Sequence, residues 1–205
     1  RLFPAMKPLS LLLPALLSLA LTCVPERATA HPIPDIPVRS FFGTGGETRI
    51  EVEVDVRCFA DDAENEPYLL KWVLERMTDE EKADLKKQAD SLISQSVALQ
   101  FAPGGAPAPE FEWTFTSHRG ESLEEKTDPV MLTGVWKTRI APQAGSTYQV
   151  NALPEGRFSV LFLNHINDVA VPRFQVLFPG EKSYQLDLSK VAPSGKTAAV
   201  SAAAP

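Results

Sequence analysis

Residues 49–59 read RIEVEVDVRCF. Ile50, Val52, Val54, Val56 and Cys58 share one parity, and Glu51, Glu53, Asp55 and Arg57 share the other. Successive side chains of a strand point to opposite faces, so this run predicts a strand with one buried and one charged face. Cys58 then falls on the buried side, where a thiol packs as a small apolar group. An intermolecular disulfide or a reactive surface thiol is the alternative. Cys23 lies in the leader described below, so no disulfide within the mature chain is expected.

The same period recurs downstream. In EFEWTFT (110–116) Phe111, Trp113 and Phe115 alternate with Glu110, Glu112 and Thr114. In VMLTGVWKTRI (130–140) Val130, Leu132, Trp136 and Ile140 share a parity, and Gly134 suggests a bulge. TYQVNAL, RFSVLFLNHI, VAVPRFQVLF and SYQLDL follow, separated by turns rich in Pro, Gly and Asn. RFSVLFLNHI is apolar on both parities, which suits a strand at the centre of a sheet. With PVRSFF and VALQFA the count is about nine short strands. The expected fold is mainly β, an antiparallel β-sandwich.

Between Asp61 and Ser96 the period changes. Leu70, Val73, Leu74 and Met77 have helical spacing, as do Leu85, Ala89, Leu92, Ile93 and Ser96. Thr78 and Glu81 have the spacing of a capping box. The reading is a pair of α-helices inserted at 64–96, each needing the sandwich to bury its apolar stripe. The acidic run 61–66 is charge entering a helix and lacks the alternating acids and glycine of a calcium loop.

The ends read differently. Arg1 and Lys7, the apolar run Leu9–Leu21 and the small-x-small site Ala28-Thr29-Ala30 predict a signal peptide over 1–30. That run is shorter than the roughly 20 residues of a spanning helix. Lipid anchoring through Cys23 is the alternative, disfavoured by Thr22 in the lipobox. The sandwich domain is expected over 31–188, with a disordered Ala/Pro/Ser tail over 189–205. Without Arg1, Lys7, Arg27 and Glu26, the 20 basic and 26 acidic residues become 17 and 25, a net charge near −8. That charge disfavours nucleic acid as a partner. The expected localisation is periplasmic or extracellular, with no transmembrane segment in the mature chain.

No G-x-S-x-G, H-E-x-x-H, C-x-x-C or glycine-rich phosphate loop occurs, so the chain reads as a non-enzyme. The metal alternative rests on the three histidines, His31, His118 and His165. Cleavage after Ala30 would give His31 a free amine beside its imidazole, a pair able to chelate copper or nickel together with a second histidine. Three prolines within 31–37, and no hydrogen-bonding period before Val38, leave that arm unanchored, so the expected site is weak. His118 and His165 are expected in turns.

The stretch AHPIPDIPVRSFFGTGGETRIEVEVDV (30–56) resembles the start of the extracytoplasmic domain of the hydrogenase/urease-accessory membrane protein family. There a signal peptide ending in Ala-His-Pro or similar leads into a β-rich domain, followed by a transmembrane bundle implicated in nickel or cobalt handling. The likeness implies export and association with a membrane protein. It carries over no catalytic or transport residue. The expected function is an exported, non-catalytic binding or accessory module, with a periplasmic metal-binding protein as the alternative.

Overall fold

A computed structural model describes residues 33–140 and 144–191. The predicted signal peptide, Cys23, His31 and the tail from 192 lie outside the described residues. The strands are β1 (Ile36–Phe42), β2 (Glu47–Asp55), β3 (Val97–Ala102), β4 (Glu112–Thr116), β5 (Met131–Arg139), β6 (Thr147–Ala152), β7 (Val160–Ile166), β8 (Val169–Ala170), β9 (Gln175–Leu177) and β10 (Leu186–Asp187). Two helices, α1 (Lys71–Leu74) and α2 (Asp79–Ser96), precede β3. The larger sheet runs β4-β5-β2-β1-β7-β8, with β9 also on β7, and the smaller runs β10-β6-β3. This is a β-sandwich with a helical insert. All strand pairs are antiparallel except β1 with β7, which is parallel.

The inward row of β2 is Thr48, Ile50, Val52 and Val54, all buried. Ser40 and Val38 of β1 lie opposite Ile50 and Val52 in register. The smaller sheet covers β1 and β7 through Tyr148, whose hydroxyl accepts from Ser40 Oγ at 2.9 Å and whose ring meets Phe42 and Phe162. Burial pushes the Tyr148 phenol above its ordinary pKa, against the opposing hydrogen bond from Ser40. Helix α2 extends that covering layer toward β4: Ala89 and Ile93 are in the core, and Trp113 Nε1 of β4 donates to Asp90 Oδ1 at 2.6 Å. The outer face of the larger sheet has no second layer of strands among the described residues.

Several elements differ from the sequence reading. β2 stops at Asp55, whose side chain accepts from Arg57 N and opens a 3-10 turn over Val56–Phe59. Cys58 is buried all the same, carried inward by the turn and not by the strand. The first helix is one turn long. Val130 N donates to Leu69 O, and Lys71 N and Trp72 N donate to Asp128 O and Lys126 O, so the chain is held in sheet-like contact up to Leu70. The second helix carries the full capping box at Thr78 and Glu81.

Gly134 forms no bulge, because it pairs regularly with Val52 and Trp113. A Cβ there would stand 2.9 Å from the Trp113 ring, so the glycine makes room for the indole. VAVPRFQVLF is two strands, β8 and β9, separated at Pro172, whose nitrogen cannot donate to a ladder. RFSVLFLNHI contributes β7, which is flanked by β1 on one side and by β8 and β9 on the other. Asn167 and Asp168 both take positive φ in the two-residue turn between β7 and β8. The core extends past the expected boundary at 188: Leu188 N donates to Ser146 O, and Val191 is buried.

Candidate functional site

The outward row of β2 is charged because its other parity is committed to the core. Arg49 pairs with Glu51 through Nη1 and Oε1. Arg39 of β1 reaches Glu51 Oε2 at 3.5 Å and donates from Nη2 to Glu53 Oε2 at 3.0 Å. Arg119 N donates to the same oxygen at 2.7 Å. Asp55 accepts from Arg57 N and Nε at 2.9 Å and from Nη2 at 2.7 Å. Glu53 and Asp55 keep only 8 % of their side-chain surface in solvent. The acids are thus paired within the chain.

At the end of this ladder a cleft of about 210 Å³ lies between Ile33–Asp35, Glu53, Tyr68 and His118. His118 follows β4 in a short 3-10 turn, 61 % exposed, with Nδ1 3.6 Å from Glu53 Oε1. His165 is on a strand, not in a turn: it belongs to β7 and stacks on Phe41, ring centroids 4.5 Å apart. The structure does not bring these two histidines together. His165 lies opposite Phe41 on β1, whereas Glu53 is one residue past Val52, the partner of Val38. That is four residues along β1, roughly 13 Å at 3.3 Å per residue. Among the described residues no three of His, Cys, Asp and Glu group as metal ligands.

From Ile33 onward the proline-containing segment is held against the sandwich. Pro34 is buried, and β1 begins at Ile36, whose N–H donates to Ser159 O at 2.8 Å.

The opposite side of the outer face is apolar. Val176 of β9 lies opposite Leu161 of β7, which lies opposite Pro37 of β1. Phe174 and Phe178 flank β9 at the same parity as Val176, and all three are exposed. Among the described residues, six large apolar side chains are exposed, and three of them, Phe174, Val176 and Phe178, form this row, while Val169 pairs with Ile166 and has the opposite parity.

Two further hollows open on the surface. One, about 800 Å³ and open, lies against Phe41, Arg49, Lys137 and Asn167. Phe41 offers no free ring face there, since His165 covers one side and Arg49 stacks at 3.9 Å. The other, about 410 Å³, lies between the 3-10 turn Val56–Phe59 and the helical insert.

No protein-family model and no curated protein matches this sequence. Glu53, Arg57 and the 174–178 stripe were not singled out from sequence. The charged parity of β2 was visible, but its partners Arg39 and Arg119 come from distant positions. No helix among the described residues is long and apolar enough to cross a membrane.

Proposed function

We propose that this chain is an exported, non-catalytic β-sandwich module that binds a membrane-associated protein partner through the β7–β9 side of its larger sheet. The observation that carries this reading is the row of exposed apolar side chains Phe174, Val176 and Phe178 on a face whose charged strip over β2 is already paired within the chain. Contiguous exposed apolar surface on a folded domain marks an interaction site more often than chance. The leader and the likeness of residues 30–56 to the hydrogenase/urease-accessory family support export and a membrane partner. A photo-crosslinker at Val176, in cells that export the chain, should trap a membrane-fraction protein that a crosslinker at exposed Gln100 on β3 does not. Changing Phe174 and Phe178 together to Asp should abolish the product. No product, or equal products from both positions, overturns the reading.

A second reading, copper or nickel binding, is favoured by one observation: His118 is 61 % exposed, with Nδ1 3.6 Å from Glu53 Oε1. Glu53 beside His118 Nδ1 would orient the ring and leave Nε2 for the metal. Copper(II) titrated into the chain beginning at His31 should bind one-to-one, and His118→Ala should lose that binding while His165→Ala keeps it. Binding retained in His118→Ala excludes this reading.

A further inference from the structure

We infer that the groove between the 3-10 turn Val56–Phe59 and the helical insert is a binding site for a small, mainly apolar molecule carrying an uncharged carbonyl acceptor. The site is distinct from the β7–β9 stripe and does not depend on it. Its walls are mainly apolar: Val56, Phe59, Leu69, Val73 and Leu85 all line it, each only half-buried, and Glu66 and Gln88 add polar groups to the lining. Its volume, about 410 Å³, suits a compact organic ligand.

The polar group that points to a ligand is Arg57. Its side chain keeps 3 % of its surface in solvent, and it forms part of the wall of this groove and also of the 210 Å³ cleft at His118. Nε and Nη2 are taken by Asp55, and the Tyr68 ring lies 3.9 Å from the guanidinium carbon. Nη1 is buried and has no hydrogen-bond partner among the described residues. A buried donor left without an acceptor forfeits its hydrogen bond to water, so an acceptor brought in by a ligand recovers a cost already present.

The charge of that acceptor follows from Asp55. The Asp55–Arg57 pair is neutral as it stands, and a carboxylate placed at Nη1 would meet the Asp55 charge within a few ångströms. A ketone, ester or amide oxygen supplies the missing acceptor with no such repulsion. An apolar body then fills the space that the half-buried side chains leave open. Reaching Nη1 requires the half-buried Tyr68 side chain to shift, and that residue sits on the irregular segment before α1.

The experiment compares three probes sharing one ring: 6-propionyl-2-(dimethylamino)naphthalene, the 6-propyl analogue without the carbonyl, and the 6-carboxylate. Binding to the folded chain is read by fluorescence. The ketone should bind about tenfold more tightly than the propyl analogue, the ratio that 1.4 kcal/mol gives, and more tightly than the carboxylate. Leu85→Trp, which fills the groove from a half-buried position, should weaken ketone binding by about tenfold with an unchanged melting temperature. Should that variant unfold, Val73→Trp serves in its place. Equal affinity for ketone and propyl analogue, preference for the carboxylate, no saturable binding, or ketone binding unaffected by filling the groove would each overturn the inference.

Discussion

On the outer face of the larger sheet, the strip over β2 is charged and closed on itself, while the strip over β7 and β9 is apolar and open. Glu51, Glu53 and Asp55 each meet an arginine from the same face. Phe174, Val176 and Phe178 meet solvent. Both strips belong to strands whose inner parity is buried, so burial does not distinguish them. The difference lies in what the outward parity still lacks. A charged strip can satisfy itself with side chains of both signs, whereas an apolar strip can be covered only by more apolar surface. Among the described residues nothing supplies it, and this is why the partner is assigned to β7–β9.

The largest effect should come from breaking the closed strip. Glu53→Ala removes the acceptor of both Arg39 Nη2 and Arg119 N at a nearly buried position. Removing one member of a buried pair costs up to 3–5 kcal/mol, and the partial exposure of Arg39 reduces this to about 3 kcal/mol. Urea denaturation measures it. A loss under about 1 kcal/mol would make the ladder an ordinary surface network and remove the contrast between the strips.

A smaller loss is expected on the inner side of the same sheet. Gly134→Ala places a methyl 2.9 Å from the Trp113 ring, and the indole is held by its bond to Asp90. Overpacking of this kind costs about 1–3 kcal/mol. Unchanged stability would mean that the Trp113 side chain can move, and that α2 is less firmly fixed to β4 than the 2.6 Å bond implies.

Alkaline pH tests the buried turn that closes β2. Burial, reinforced by Asp55, pushes the Cys58 thiol up to about 12 from an ordinary value of 9.0. The folded chain therefore holds this proton more tightly than the unfolded chain does. The stability it contributes is fully present below pH 9 and falls as pH rises from there toward 12, by at most about 1.4 kcal/mol per pH unit. Tyr148 adds a loss of the same sign. Cys58→Ala should flatten the decline between pH 9 and 10.5, and thiol labelling at pH 8 should be slow until the chain unfolds. Fast native labelling would place Cys58 at the surface.

How much of this was legible follows from the range of the interactions. The strand alternation over 49–55, the burial of Cys58 and the Thr78–Glu81 cap are local, set by residues within a few positions, and the structure agrees with all three; the predicted strand does not run on through 56–59, which form a 3-10 turn. The helix read from the spacing of 70–77 is cut to one turn because Leu69, Lys71 and Trp72 bond to residues 126–130, a competitor invisible to periodicity. Gly134 was misjudged for the same reason, since its neighbour Trp113 lies on another strand. Of the three histidines, sequence could name the residues but not their separation. The pairing of Glu53 with Arg39 and Arg119 spans 14 and 66 positions. The groove at Arg57 exists only where the insert meets the turn after β2.

The smallest effect is the sharpest test of the open strip. Phe178 is 60 % exposed, and its backbone N–H is held by Glu181 Oε2 at 2.9 Å whatever the side chain. Phe178→Ser therefore removes a ring that the folded chain hardly uses, and the expected change in stability is within about 0.5 kcal/mol. Retention on a phenyl column should fall for Phe178→Ser, since the ring contributes directly to the exposed apolar stripe. If Phe178→Ser instead shifts the urea midpoint by the equivalent of more than about 1 kcal/mol, the ring is packed within the chain. The β7–β9 strip would then be a covered edge of the sandwich, with no call for a partner.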